Sequence, residues 1–459
     1  MKAMHRLWAA ILAASLPALA QAGGADEAID IYRELIGFRT VHPDGDVTAA
    51  ARAMAKRLVD AGFDPADVQV LAPAPLKGNL VARLRGTGEA RPVLVLAHID
   101  VVDAKREDWS DGLDPFTLTE RDGWYYARGS IDDKAMAAIA IANLARLKRE
   151  GFRPKRDIIV ALTTDEEGGT HNGVRWLVQA HRPLIDAEFA LNEGAEGELI
   201  DGKPRLLGVQ VSEKMYQSYE LEATNAGGHS SLPRPENAIY DLSAALSRLS
   251  AYSFPARLGP TARQFAARAA EDAPPELRAS LRAIAAGHPS EADLRRSIAH
   301  PEMNAQLRTT CVATRIEGGH ADNALPARAK ATVNCRLLPG EQEAFVAAEL
   351  ATIAGPAIKV RPTNPLSATP PTSTDAPAMK AIERVAAGMW PGVEVVPRMS
   401  TGATDGATLR RIGIPVYGVT GLFVPFGENR MHGRDERLAV RSFAEGLEFN
   451  YRLLKDFAG

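Results

Sequence analysis

The chain has 459 residues, 46% of them apolar and 24% charged, with a net charge of -3. That length exceeds what one compact core accommodates and points to two domains. The near-neutral balance and the lack of any basic run exclude a protein held by charge to nucleic acid or to a membrane surface.

The first element is an address. Lys2, His5 and Arg6 precede the apolar run Leu7 to Leu16, and small residues follow in Ala18-Leu19-Ala20 and Ala20-Gln21-Ala22. This is the layout of a secretory leader with an A-x-A cleavage choice, and the run is too short to span a bilayer. Residues 1–22 are accordingly set apart as a signal peptide. The mature protein is expected to lack a membrane span and to be exported, with a bacterial periplasm the expected destination.

Residues 26–38 and 46–61 have helical periodicity, and Gly62 is placed to close the second helix. Strands are expected at Val68–Leu71, Asn79–Leu84 and Val93 onward, and a hairpin around Arg121–Tyr125. An alanine-rich helix follows at 134–150, then the strand Ile158–Thr163, a helix at 173–180 and the strand Ala187–Leu191. Alternating strands and helices of this kind argue an α/β domain with a mixed, mostly parallel sheet.

Near Val211 the pattern changes. Tyr216–Ala223 alternates as a half-exposed strand, 238–249 is a helix, and 255–307 is polar, alanine-rich and helical. Strands at Thr310–Ile316 and Lys330–Leu337 and a helix at 341–354 complete an α+β module inserted in the first domain. A linker rich in Pro, Ser and Thr, 362–376, leads back. Helix 377–388, strand 393–396, helix 404–411, strand 414–418 and helix 440–455 then finish the first domain. The expected boundaries are 23–212 and 366–459 for the two parts of the catalytic domain and 213–365 for the insertion. Cys311 and Cys335 lie in strands flanking one loop, and both a cross-strand disulfide and two buried thiols suit them.

Chemistry collects at strand ends. The apolar run VLVLA delivers His98 and Asp100 to the carboxyl end of a buried strand, where α/β sheets place their active groups. With period-two alternation the two side chains point one way, so the Asp100 carboxylate is expected to take the second N–H of His98. Asp132 and Asp133 sit on a glycine-containing turn, RGSIDDK, just before a helix, where an N-cap is the plain structural alternative. Asp165-Glu166-Glu167 follows the strand IIVAL; three consecutive acids there repel unless a cation neutralises them. Glu193 follows another apolar strand, and His432 lies in MHGRDER. Each site alone has a bland reading, an N-cap or a solvated turn. Together, carboxylates and imidazoles at strand ends suit divalent cations, most naturally zinc.

The motifs AHID, ARGSIDDK, TTDEEGG, NEG and MHGRDER, in this order, resemble those of the M20 metallopeptidases, among them glutamate carboxypeptidases, aminoacylases, carnosinase-type dipeptidases and succinyl-diaminopimelate desuccinylase. The resemblance covers nearly all of the mature chain. It implies a zinc-binding α/β domain interrupted by a smaller lid domain used for dimerisation. It also implies two Zn2+ per subunit, with Co2+ or Mn2+ as alternatives. Asp132 would bridge the ions, His98 and Glu193 would complete one site, and Glu167 and His432 the other. Glu166 would be the general base and Asp100 the group that orients His98. A cis peptide is expected at Asp132-Asp133.

In the lid, the resemblance assigns substrate contacts to His229 of NAGGHSSLP, Asn323 of GGHADNALP and Arg336 of NCR; Thr404 lies in a substrate-side loop of the first domain. Arg336 and Asn323 would clamp a substrate carboxylate, which guanidinium binds in bidentate fashion. The expected activity is hydrolysis of amide bonds in small peptides, next to a residue with a free carboxylate, as a carboxypeptidase or dipeptidase does. An N-acyl-amino-acid hydrolase is the alternative, and a non-catalytic metal-stabilised binding protein the remote one. Glu166 and all five ligand positions are present, which weighs against the last.

Overall fold

The computed structural model describes residues 24–364, 368–428 and 430–459, so the leader lies outside the described residues. The chain forms two compact units. The first comprises residues up to Gln210, Thr372–Val396 and Thr404–Gly459; the second comprises Val211–Pro371 and Pro397–Ala403. The expected boundaries at 212 and 365 fall two and six residues from these hand-over points. The segment Pro397–Ala403, which the sequence reading gave to the first domain, belongs to the second unit.

The first unit is built on a sheet of nine strands in line, with Glu394–Ser400 pairing Lys203–Glu213 off that path. Its middle is four parallel strands in the order Ile158–Thr163, Val93–His98, Phe189–Asn192, Val416–Gly418. Every residue of Val93–His98 and of Ile158–Thr163 is buried, as an unbroken apolar run covered on both faces requires. One face packs Leu94, Leu96, Ile159 and Ala161 against Val174, Leu177 and Leu409 from flanking helices. The helix Lys134–Arg149 is buried along most of its length and packs against Val93–His98.

Register decides where the chemistry emerges. His98 pairs with Thr163, and Val95 with Leu191. The chain therefore leaves all three strands at one sheet edge, carrying His98, Asp165-Glu166-Glu167 and Glu193 out together.

The second unit holds a four-stranded antiparallel sheet in the order Thr310–Gly318, Arg328–Leu337, Met215–Thr224, Ile358–Pro362. Arg328–Leu337 alternates strictly between buried and half-exposed positions after its first residue, and its buried face packs on the helices Ala238–Ala251 and Glu343–Ala354. The polar stretch 255–307 resolves into the helices Pro260–Asp272, Pro275–Ala286, Glu291–Ile298 and Pro301–Leu307. Three start on proline, whose missing N–H costs nothing there, and the third starts on a Ser290–Asp293 capping box. Cys311 stands opposite Cys335 across two strands, and the two are joined as a disulfide.

Candidate metal centre

His98 is the last residue of its strand and is buried. Its Nε2 lies 2.9 Å from Asp132 Oδ1 and 3.9 Å from Glu193 Oε1. Its Nδ1 donates to the main-chain carbonyl of Asp100 at 3.0 Å, while the Asp100 carboxylate is 3.8 Å away. This corrects the expected pairing. Alternation stops at His98, so Asp100 lies beyond the strand and its carboxylate turns elsewhere. It accepts the backbone N–H groups of Glu166 and Glu167 at 3.2 and 3.1 Å, fixing the acid-bearing loop rather than the imidazole.

Asp132 lies on the loop before the helix Lys134–Arg149, and its peptide bond to Asp133 is cis. Asp133 takes the N-cap position without making a cap hydrogen bond, and its side chain is fully buried. The two oxygens of Asp132 face different imidazoles: Oδ1 meets His98, and Oδ2 meets His432 Nε2 at 3.0 Å. Glu167 Oε1 is 2.9 Å from the same His432 nitrogen. His432 is half-exposed on a left-handed backbone (φ 62°), and Asp165 on the acid loop shares that conformation (φ 55°). Glu193 is followed by Gly194 at φ 128°, where a Cβ would fall 1.5 Å from Gln210 Oε1; only glycine lets the chain turn there.

The electrostatics describe a site short of positive charge. Burial would raise Asp132, but the hydrogen bonds of His432 and His98 outweigh it and hold its carboxyl well below the usual range. Asp132 and Glu167 in turn push His432 up to about 10. Burial, reinforced by neighbouring carboxylates, drives Glu166 and Glu193 well above the ordinary glutamate range despite the pull of His98. Among the described residues, no lysine or arginine pairs with Asp132, Glu166, Glu167 or Glu193; their cationic neighbours are the two histidines. Donor atoms of His98, Asp132 and Glu167, and of His98, Glu166 and Glu193, lie within 4.8 Å of one another. Crowded carboxylates and a mixed set of nitrogen and oxygen donors fit a divalent-cation site.

Several residues of this centre carry no signal in the sequence. Glu436, four positions after His432, is fully buried. Its carboxylate pairs with Arg128 at 2.5 Å and accepts the backbone N–H groups of Gly129 at 3.1 Å, Ile131 at 2.8 Å and Asp132 at 3.4 Å. It therefore ties the Asp132 loop to the His432 turn. Asp165 pairs with Lys77 at 2.8 Å, both buried, and also accepts the His171 N–H. Asp405 bonds Asn172 at 2.6 Å and Thr163 at 3.3 Å from a buried position. Each partner is distant in sequence, and only the contact reveals it.

The expected substrate contacts fall in both units. Thr404 is half-buried in the first, where its carbonyl accepts the Ala407 N–H. In the second, His229 is exposed, pairs with Ala324 in a two-residue ladder, and has Nδ1 2.7 Å from the Ser231 hydroxyl. Asn323 is exposed next to that ladder, and Arg336 lies over the Tyr216 ring.

Comparison with known proteins gives a consistent result. A family model described as peptidase family M20/M25/M40 matches residues 94–456. The chain is 29% identical over 380 residues to the mouse N-fatty-acyl-amino acid synthase/hydrolase PM20D1, covering 80% of this chain and 74% of that one. It is 27% identical over 447 residues to aminoacylase-1 of Pongo abelii, covering 94% and 95%. Among solved structures, the M20 family metallo-carboxypeptidase Sso-CP2 from Sulfolobus solfataricus superposes with a TM-score of 0.66 at 17% identity, over 94% of this chain and 98% of that one.

Proposed function

The chain belongs to peptidase family M20/M25/M40 and is a hydrolase of that family, and from that premise we propose that it cleaves an amide bond whose amine side is an amino acid with a free carboxylate. The acyl side is a second amino acid or an N-acyl group. The observation that carries this reading is Asp132, with one oxygen on each of two imidazoles and Glu166 close by.

In this reading His98, Asp132 and Glu193 hold one divalent ion, and Asp132, Glu167 and His432 a second, with zinc the ion their donor chemistry suits best. Such a pair of ions would supply Lewis-acid polarisation of the scissile carbonyl and an acidified water. The protein's own residues do the rest. Asp100 fixes the backbone of Glu166 and Glu167 through two N–H bonds, so the Glu166 side chain starts from a defined position. Glu166 takes the proton of the attacking water and returns it to the departing amine nitrogen. The Asp100 carbonyl holds the Nδ1 proton of His98 and leaves Nε2 free to bind. His229, Asn323, Arg336 and Thr404 contact the substrate, with Arg336 and Asn323 on its carboxylate. Export through the leader and dimerisation through the second unit belong to the same reading.

The similarity to PM20D1 and aminoacylase-1 supports the N-acyl alternative, so both acyl classes enter the test. Metal-loaded protein is incubated with dipeptides, N-acyl amino acids and their C-terminal amides, and free amino acid is measured. Glu166→Gln is expected to keep its metal, by elemental analysis, while turnover falls by about 10²–10⁴-fold. Cleavage of the amides at the rate of the free acids rejects the carboxylate requirement. Undiminished turnover by Glu166→Gln rejects its role.

A further inference from the structure

We propose that Tyr216 is a substrate-binding residue, donating its phenol O–H to the same carboxylate that Arg336 receives. The inference rests on the proposed carboxylate requirement, and every contact behind it lies within the second unit.

Register sets the arrangement. On the four-stranded sheet Arg336 stands between Thr310 on one neighbouring strand and Tyr216 on the other, and Asn334 stands between Val312 and Ser218. Directly paired residues and residues two apart share a face, so these side chains belong to one face of the sheet. The opposite face carries Cys335 and Leu337 against the helices. Farther along the face of Arg336 the charges satisfy one another. Glu220 takes Lys330 at 2.9 Å and Arg361 at 2.5 Å, and Glu222 takes Arg361 at 2.7 Å and Arg328 at 2.8 Å. Arg336 breaks that pattern. Its row holds no acid, and among the described residues no carboxylate pairs with it.

The phenol beside it is held from beneath. Asn334 Nδ2 donates to the Ser218 hydroxyl at 3.2 Å, and that hydroxyl donates to Tyr216 Oη at 3.2 Å. Ser218 is buried and Asn334 half-buried, whereas Tyr216 is 47% exposed. The relay therefore runs outward and occupies a lone pair of Oη, while the phenol keeps its own hydrogen for a further acceptor. The Arg336 guanidinium carbon lies 5.0 Å from the centre of the same ring, a cation–π distance. Phenylalanine would meet that stacking equally well, so the hydroxyl and its relay serve something else. A guanidinium without an anion beside an O–H without an acceptor matches a carboxylate, which takes two bonds from the first and a third from the second.

The test uses the metal-loaded protein and an N-acyl amino acid. The matching N-sulfonyl amino acid, which has no acyl amide to cleave, serves as inhibitor both as the free acid and as its C-terminal amide. Tyr216→Phe keeps the ring under Arg336 and removes only the O–H. KM and the inhibition constant of the free acid are expected to rise about tenfold, the loss of one hydrogen bond to a charged group. kcat and the inhibition constant of the amide are expected to stay within about twofold, because the bond is made equally in substrate and transition state. Ser218→Ala removes the bond that orients the phenol, and it is expected to raise the same two constants about threefold with kcat unchanged. A general loosening of the sheet would weaken acid and amide together. That result, or constants for Tyr216→Phe equal to those of a parent that prefers the acid, overturns the role of Tyr216 and leaves the carboxylate requirement standing. A parent that takes acid and amide equally removes the requirement itself, and the inference with it.

Discussion

Replacing Glu436 by glutamine changes one atom and removes the charge that joins two ligand-bearing segments. In the parent protein Oε2 takes Arg128 and the Gly129 N–H, and Oε1 takes the Ile131 and Asp132 N–H groups. An amide supplies one oxygen. Whichever way it is turned, its NH2 group faces donors, and Arg128, only 3% exposed, keeps a charge with no carboxylate against it. Breaking one side of a buried ion pair costs about 3–5 kcal/mol. Because the same carboxylate positions the Asp132 loop, metal affinity is expected to fall by about 10–100-fold as well. The assays are urea unfolding of the metal-free protein and competition for Zn2+ against a chromophoric chelator. Arg128→Met combined with Glu436→Gln removes both charges and is expected to be less destabilised than Glu436→Gln alone. If Glu436→Gln unfolds at the parent's urea concentration and holds zinc as tightly, Glu436 does not organise the loop.

Two further outcomes follow from the same contacts. Asp435 accepts the Ser110 N–H at 2.9 Å and the Ser110 hydroxyl at 2.6 Å; burial alone would raise its pKa, but these bonds outweigh it and lower it. A folded value below the unfolded one gives stability that is present above the unfolded value of about 3.9 and lost as pH falls through the depressed value. Ser110→Ala is therefore expected to cost about 1–2 kcal/mol at pH 7 and to converge with the parent in acid below that range, read from urea midpoints with chelator present throughout. Removing the metal should release the repulsion among Asp132, Glu166, Glu167 and Glu193. The midpoint with chelator is expected to lie below that with zinc by about 2.7 kcal/mol for each site held at a hundredfold excess over its Kd; identical midpoints would show that these carboxylates hold no ion.

Much of the fold was legible because the sheet announces itself twice. Unbroken apolar runs at Val93 and Ile158 mark strands buried on both faces, and the residues that end them are polar and acidic. Apolar content and strand propensity coincide there, so local sequence decides the outcome. The stretch 394–400 behaves otherwise. Its apolar part, 395–396, marks the strand, but the strand runs on through Pro397 and Arg398 to Ser400. That continuation depends on a partner strand, and a local pattern cannot report it.

The candidate site divides the same way. His98, Glu166, Glu167 and Glu193 follow apolar strands and Asp132 a glycine-containing turn, so position draws attention to them, whereas His432 stands out only within MHGRDER. What holds them in place is not periodic. Glu436 reaches Arg128 across 308 positions and Lys77 reaches Asp165 across 88, and a charge in a loop looks the same whether it is solvated or buried against a partner. Asp100 shows the limit from the other side, since two residues in sequence were enough to mislead. Alternation predicts a carboxylate on the His98 ring only while the strand lasts, and the strand stops at His98. Once it stops, the imidazole finds a main-chain carbonyl and the freed carboxylate serves the acid loop, so one aspartate steadies His98 through its backbone and Glu166 and Glu167 through its side chain. Asp100→Asn separates these duties. It leaves the carbonyl on Nδ1 while weakening the two N–H bonds to the loop, so it is expected to disturb Glu166 and Glu167 more than His98; a loss confined to His98 would return the carboxylate to the ring.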